Sequence, residues 1–457
     1  MIEKGEPPDA GGVGEILRRV LANAGMLLGG RTINAILGLA YMAVVARALG
    51  VSEMGVLVLI HAFALFLGEV VKFQSWQTVL QYGARPLAAG DTPRFQQVLR
   101  FTLALDIAST LLGMALGVIG AFAFSGSLGW GADAAPAAAL YMLSLVFMVS
   151  ATPIGLLRLF DRFDVMANQA ALVSLVRLIG SGVAWWLHGG LESFLAAWAL
   201  GSVVAYAYLL AAAWRELHTR RLLEGFAWNG PFTQGLPGIW RFAWNTNLAA
   251  TLEVALTHVV TLVVGMMVGP GAAAFWRIGR QIADAIAKPA KLLVPALYPE
   301  LARLRVEERH DDMWRLVKRV GVLAGGVGLL VLLVAVLAGG PLLTLVMGEA
   351  FAPAASVMTW QVAAAVVAIF ALPLEPMLVS LGKPGAAVRV HLAVGVTFLI
   401  SLPFLIEAFG LTGAGAGLVG AATALALGML WFILRMSGNR RARDRSAGGG
   451  DGLKGDV

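Results

Sequence analysis

Twelve runs of apolar residues, each long enough to cross about 30 Å of hydrocarbon, punctuate this sequence. They fall near residues 22–46, 55–75, 101–124, 137–157, 166–187, 192–214, 239–267, 273–297, 320–338, 355–380, 389–408 and 413–435. With 59% apolar and 13% charged residues and a mean hydropathy of +0.79, the 457-residue chain is outside the range of soluble domains. A span whose backbone polar groups must be satisfied without water folds as a helix. The expectation is an all-α polytopic membrane protein of about twelve transmembrane helices.

Charge placement tests that count, because alternate connections lie on opposite sides of the membrane. If the N-terminus is cytoplasmic, cytoplasmic segments hold 27 of the 34 Lys and Arg. Six more are intramembrane (Arg31, Arg177, Arg277, Arg280, Lys288, Lys291) and the outer side keeps only Arg47. Both termini are therefore expected in the cytoplasm. Residues 1–21 carry Pro7, Pro8, Glu15, Arg18 and Arg19 ahead of any apolar run, so no cleaved signal peptide is expected. Residues 436–457 read as a disordered basic tail that anchors topology beside anionic lipid headgroups. The absence of cysteine excludes disulfides and thiolate chemistry. The inside-positive loops account for the basic pI of about 9.9, so no nucleic-acid partner is implied.

A shift of 219 to 220 residues brings the two halves into register: Gly50 falls on Gly269, Pro153 on Pro373, Ala167 on Ala387, and Gly190 on Gly410. The constant offset indicates duplication. It divides the chain into an N-lobe of six spans (22–214), a Gly- and Pro-rich linker (215–238) and a C-lobe of six spans (239–435). An even number of spans per half makes the repeats parallel, an arrangement in which transporters place substrate between halves.

Span 8 carries Arg277, Arg280, Asp284, Lys288 and Lys291 at spacings of three, four, four and three. At about 100° per residue these fall within roughly 80°, a single charged stripe on an otherwise apolar helix. A charge at the bilayer centre costs at least about 2.5 kcal/mol on insertion scales, so such a stripe must face water, partners or a charged ligand. One Asp pairs at most part of four cations; the expectation is a cationic, anion-facing cavity. Pro289 frees a carbonyl and predicts a kink.

Other intramembrane polar residues supply secondary candidates. Arg31 and Asn34 share a face of span 1, with Arg31 expected to contact ligand. Glu253 of span 7, placed by the repeat on Asn34, is a proton- or cation-coupling candidate. The repeat places His61, Glu69 and Lys72 of span 2 opposite the span 8 stripe. Glu375, between Pro373 and Pro376, reads as a buried carboxylate beside freed carbonyls that would bind a coupling ion. Asp106 and Arg177 are expected to form a structural ion pair. Gly413, Gly417 and Ala421 read as small-xxx-small packing. No Walker A loop and no H-E-x-x-H zinc motif occurs.

Leu49-Gly50-Val51-Ser52-Glu53-Met54-Gly55 follows the Arg47-bearing first span, Phe275-Trp276 starts span 8 after Gly269-Pro270-Gly271, Tyr298-Pro299-Glu300-Leu301 closes it, and Phe409-Gly410-Leu411-Thr412-Gly413-Ala414-Gly415 precedes the last span. Across residues 20–436 these resemble the polysaccharide transporter, or O-antigen flippase, family of the multidrug, oligosaccharidyl-lipid and polysaccharide exporter superfamily. The resemblance implies two six-helix lobes, a cavity lined by spans 1, 2, 7 and 8, and alternating access in a bacterial inner membrane. The implied cargo is a polyprenyl-(di)phosphate-linked oligosaccharide, whose phosphates suit Arg geometry. No bound cofactor is implied; coupling to a proton or sodium gradient is, and so are a polysaccharide polymerase and glycosyltransferases as partners. Lipid II flippases carry two further C-terminal spans, which favours the oligosaccharide branch here. A cation-coupled drug exporter would want carboxylates in the cavity. A membrane-embedded polymerase would want large outer loops, and every outer connection is short.

The cysteine-free background makes topology testable with single introduced cysteines. Cysteines at positions 133 and 349 should react with an impermeant thiol reagent in intact cells, and one at 311 should not. Labelling at 311 would overturn the orientation.

Overall fold

The structure, a computed structural model, describes residues 10–291 and 293–448, with side chains described from 34 to 436 apart from 248–257, 292, 293 and 296. Described secondary structure is helical throughout, with one short 3-10 turn at Glu349–Phe351. Fifteen helices account for the expected passages. α1 (Ala10–Val71) holds spans 1 and 2, folded back at Gly50, whose φ of 71° only glycine adopts readily. α2 (Ser75–Ala88) continues from span 2 beyond a break at 72–74. α3 (Thr92–Ala123) is span 3, and α4 (Gly131–Met142), α5 (Leu145–Met148) and α6 (Ala151–Leu159) together make a span 4 bent by 47°. α7 (Phe163–Trp186) and α8 (Leu191–Thr219) complete the first half.

α9 (Ile239–Val268) is span 7; α10 (Pro270–Ala290) and α11 (Leu293–Val306) form span 8 with its continuation. α12 (His310–Met347) is span 9, and α13 (Ala354–Ala371) with α14 (Leu374–Ser380) is span 10. α15 (Pro384–Gly448) holds spans 11 and 12, folded back at Gly410 with φ 61°. Counted along the backbone this is twelve passages. The small-residue run packs as expected: a Cβ on Gly413 would lie 2.0 Å from the Leu405 carbonyl oxygen, and one on Gly417 2.7 Å from Leu405.

The duplication reappears in the backbone. Left-handed residues recur in pairs 218 to 221 positions apart: Gly50 with Gly269, Gly90 with Glu308, Gly129 with Gly348, and Asp161 with Gly382. Span 2 ends at Val71 and its counterpart, α10, at Ala290, a separation of 219. α2 maps onto α11, and the broken span 4 onto the α13–α14 pair.

By packing, the chain separates between Ala274 and Phe275. The linker that follows α8 therefore lies with the first unit, and it is fastened there. Gln96 Nε2 donates to the carbonyls of Leu222 (3.0 Å) and Glu224 (2.8 Å), and Arg100 Nη1 to that of Ala227 (2.6 Å). Gln97 and Arg94 reach Gln234 and Gly235, and the Tyr82 hydroxyl donates to the Pro237 carbonyl. These donors sit in the amphipathic lead-in to span 3 or on α2. They satisfy the carbonyls of a segment with no regular structure of its own. Beneath the strap lies a cavity of about 430 Å³ bordered by Tyr82, Arg85, Asp91 and Arg94.

One expected contact is absent. Asp106 and Arg177 do not pair: Asp106 Oδ2 accepts from the backbone N–H of Thr152 at 2.8 Å, and the Arg177 guanidinium lies 5.0 Å from the centre of the Trp198 ring. The two side chains leave α3 and α7 at phases that composition does not reveal, and a cation over an indole face is an alternative to a carboxylate. Removing them should therefore be additive. In a double-mutant cycle of Asp106→Asn and Arg177→Gln, thermal stability losses of the purified protein should sum to within about 0.5 kcal/mol. A larger coupling would restore the ion pair.

Close helix approaches offer a second test. A Cβ on Gly55 would sit 1.9 Å from the Pro270 carbonyl oxygen, whereas one on Gly182 meets nothing within 4 Å. Gly55→Ala should cost roughly 1 to 3 kcal/mol because backbone must shift. Gly182→Ala should leave the melting temperature unchanged or higher. Equal effects would contradict the packing.

Candidate functional site

α10 positions the charged stripe. Its Gly and Ala content lets one face lie close against a neighbour: Trp276, Ile278 and Ala283 are buried, and a Cβ on Gly279 would come within 3.0 Å of the Met358 backbone on α13. Gln361 Nε2 of α13 donates to the Trp276 carbonyl at 3.2 Å, which fixes the rotation of α10 against that helix. The stripe falls on an adjoining face. Arg277, Arg280, Asp284 and Lys288 are half-buried there and Lys291 is exposed.

Within the stripe, Arg280 Nε lies 3.1 Å from Asp284 Oδ1, the i,i+4 pair that helical spacing predicts. Arg277, Lys288 and Lys291 have no carboxylate partner among the described residues. The helix ends at Ala290, directly after Pro289, and resumes at Leu293, so the interruption expected from Pro289 falls between the last two cations of the stripe. Two net positive charges thus sit on the half-exposed face of a helix whose opposite residues are Ala and Ile, with exposed Lys291 just beyond its end. Such a face can bind an anion through guanidinium forks and ammonium point charges.

The secondary candidates scatter. Arg31 and Glu253 lie outside the residues whose side chains are described. Asn34 accepts a hydrogen bond from Ser174 of α7, a link within the first unit. His61 is turned inward, 4% exposed, with Nδ1 2.7 Å from the Tyr141 hydroxyl and its ring edge-to-face with Trp198 at 4.9 Å. Its place in an open polar stripe on span 2 is thereby corrected: a helix face that carries a polar residue can still be the one its own bundle encloses. Glu69 and Lys72 pair at 2.7 Å across one turn, beside the break that ends α1.

Glu375 is also corrected. The helix break at Leu372 and Pro373 is present, but Glu375 is exposed at the start of α14 and the turn keeps its bonds, with Met377 N–H donating to the Pro373 carbonyl. An exposed carboxylate beside satisfied carbonyls does not make an enclosed ion site. The polar group that sequence reasoning undervalued is Asp106, buried among hydroxyls; its only signal in the sequence was a charge inside an apolar run.

Comparison with known proteins places this architecture. A MATE family multidrug resistance transporter of the MOP superfamily, in an inward-facing conformation, superposes with a TM-score of 0.72 at 16% identity, over 92% of this chain and 99% of that one. The lipid II flippase MurJ, in an inward closed conformation, gives 0.70 at 12% identity, over 89% and 87%. In sequence, the inner membrane protein YghQ of Escherichia coli (strain K12) is 34% identical over 332 residues, covering 72% of this chain and 93% of that protein. Residues 20–305 match the family described as polysaccharide biosynthesis protein. The twelve passages, the duplicated halves and these matches agree: the chain is a multi-pass membrane protein that belongs to the polysaccharide biosynthesis protein family.

Proposed function

We propose that this protein is a flippase of the bacterial inner membrane. It moves polyprenyl-(di)phosphate-linked oligosaccharide units from the cytoplasmic to the periplasmic leaflet for surface polysaccharide assembly, by alternating access and with no chemical step of its own. The observation that carries the reading is the cation excess on α10 and the residue just past it, where of Arg277, Arg280, Lys288 and Lys291 only Arg280 has a carboxylate beside it among the described residues. A lipid-linked diphosphate is the membrane-resident cargo that such a face suits, since Arg binds phosphate oxygens bidentately and a site of low dielectric strengthens each contact.

Family membership and the inner-membrane relative support the same reading. The fold alone does not choose between a MATE exporter and a lipid II flippase, whose scores are nearly equal. Charge favours the flippase: an organic cation would be repelled by Arg277, Lys288 and Lys291 along a stripe where Asp284 is already engaged. In this reading both termini are cytoplasmic, and Arg31 joins the stripe in holding phosphate. A polymerase and glycosyltransferases supply and consume the cargo, and a proton or sodium gradient drives the cycle.

The test is surface polysaccharide in a strain lacking the native protein, normalised to variant abundance in the membrane. Arg280→Lys should retain part of the activity because charge persists while the bidentate fork is lost. Arg280→Ala should fall by about ten- to a hundredfold, the scale of one charge-assisted hydrogen bond, and Arg280→Glu further. Lys288→Ala should slow transport without abolishing it. Wild-type polysaccharide from Arg280→Glu at normal abundance would remove the stripe from the transport path.

A further inference from the structure

Asp106 sits where two interrupted helices meet. Its carboxyl, 7% exposed on α3, accepts at Oδ2 from the first turn of α6, just beyond the extended residue Val149 that breaks span 4. The hydroxyls of Ser75 and Thr152 face the same carboxyl, and Ser75 is the first residue of α2, just beyond the break that ends span 2. Ser75 Oγ, Thr152 Oγ1 and Asp106 Oδ1 are all enclosed by protein, yet none completes a hydrogen bond. The charged and titratable neighbours are Lys72, from the end of α1, and Tyr206 of α8. Lys72 is itself held by Glu69.

The internal repeat supplies a control. Ser75, Asp106 and Thr152 map onto Val294, Gly325 and Leu372, at the offsets of 219 to 220 that align the two halves. There helix interruptions fall between Ala290 and Leu293 and at 372–373, the latter with helical dihedrals and no extended residue like Val149, with no buried charge among the described residues, and the space beside Gly325 is filled by the Phe370 ring, 2.3 Å from where a Cβ would stand. The fold therefore closes without an acid at this position. A buried carboxylate with one oxygen left without a hydrogen bond is costly and persists where it is used.

We propose that Asp106, with Ser75 and Thr152, is a proton-binding site that latches spans 2 and 4 to span 3 when ionised and releases them when protonated. The ionised carboxylate accepts from the Thr152 N–H and from both hydroxyls, tying α2 and α6 to α3. A proton taken from water onto Oδ1 removes the charge, weakens those bonds and converts an acceptor into a donor. Three facing oxygens are few for a hard metal cation, which takes six or more ligands when it is calcium, and Lys72 opposes a second metal charge. The latch is local to the first unit and does not depend on what the transporter carries.

The experiment uses the full-length protein in liposomes with spin labels at Ala84→Cys on α2 and Ala211→Cys on α8, both exposed and free of cysteine background. The distance distribution should change between pH 8 and pH 5. Asp106→Asn should show the low-pH distribution at every pH, and Asp106→Glu should keep the pH response. Ser75→Ala, which removes one donor to the ionised form, should move the midpoint up by about one pH unit; it answers the question even if Asp106→Asn does not fold. No pH response, a response that survives in Asp106→Asn, or an unmoved midpoint in Ser75→Ala would overturn the proposal. A change driven by sodium at fixed pH and lost in Asp106→Asn would overturn it in favour of a metal cation. No lipid-linked substrate is needed, so this outcome and that of the flippase reading are independent.

Discussion

The cost of a charge in hydrocarbon organises this molecule. Every basic residue within a span must be turned toward protein, water or cargo, and the two lobes solve the problem differently. In the first, Arg177 is buried against the Trp198 face and Asp106 takes a backbone N–H at the start of α6. In the second, α10 gathers its cations on one half-exposed face, where among the described residues Arg280 alone is paired with a carboxylate. The first solution builds an interior; the second leaves charge available to a ligand.

How much of this was legible in the sequence follows from what fixes each feature. Span number and order follow from apolar length: each of the twelve runs overlaps a helix or a broken helix, although the helices of spans 3 and 9 begin nine and ten residues ahead of their runs. The α10 stripe was legible because 3.6-residue periodicity sets its geometry within one helix. Helical phase against a neighbour was not: nothing in the sequence states that His61 turns toward Tyr141 or that Arg177 points away from Asp106. Breaks were legible only where proline forces them. The interruption after Val71 has no proline; its counterpart after Ala290 follows Pro289, so the two halves reach one backbone break by different local chemistry.

Shared backbone breaks with unlike side chains are what duplication followed by divergence would leave. The left-handed positions are kept, mostly by glycine but by Glu308 opposite Gly90 and by Asp161 opposite Gly382. Around them, polar groups have been gained on one side and apolar filling on the other, as Asp106 and Phe370 show. Topology is thus the conserved quantity within the chain, and electrostatics the quantity free to specialise.

The strap from Leu222 to Pro237 belongs to neither copy of the duplicated unit, and yet it has been absorbed by the first. Gln96, Gln97 and Arg100 are buried polar side chains whose acceptors are the strap's own carbonyls. A fragment ending at Thr219 would uncover all three, whereas one ending after Pro237 would not. The first packed unit of this protein runs past the strap to Ala274 and is therefore longer than one six-span repeat. A seam left by gene fusion has become part of the architecture, and the two halves are no longer interchangeable parts.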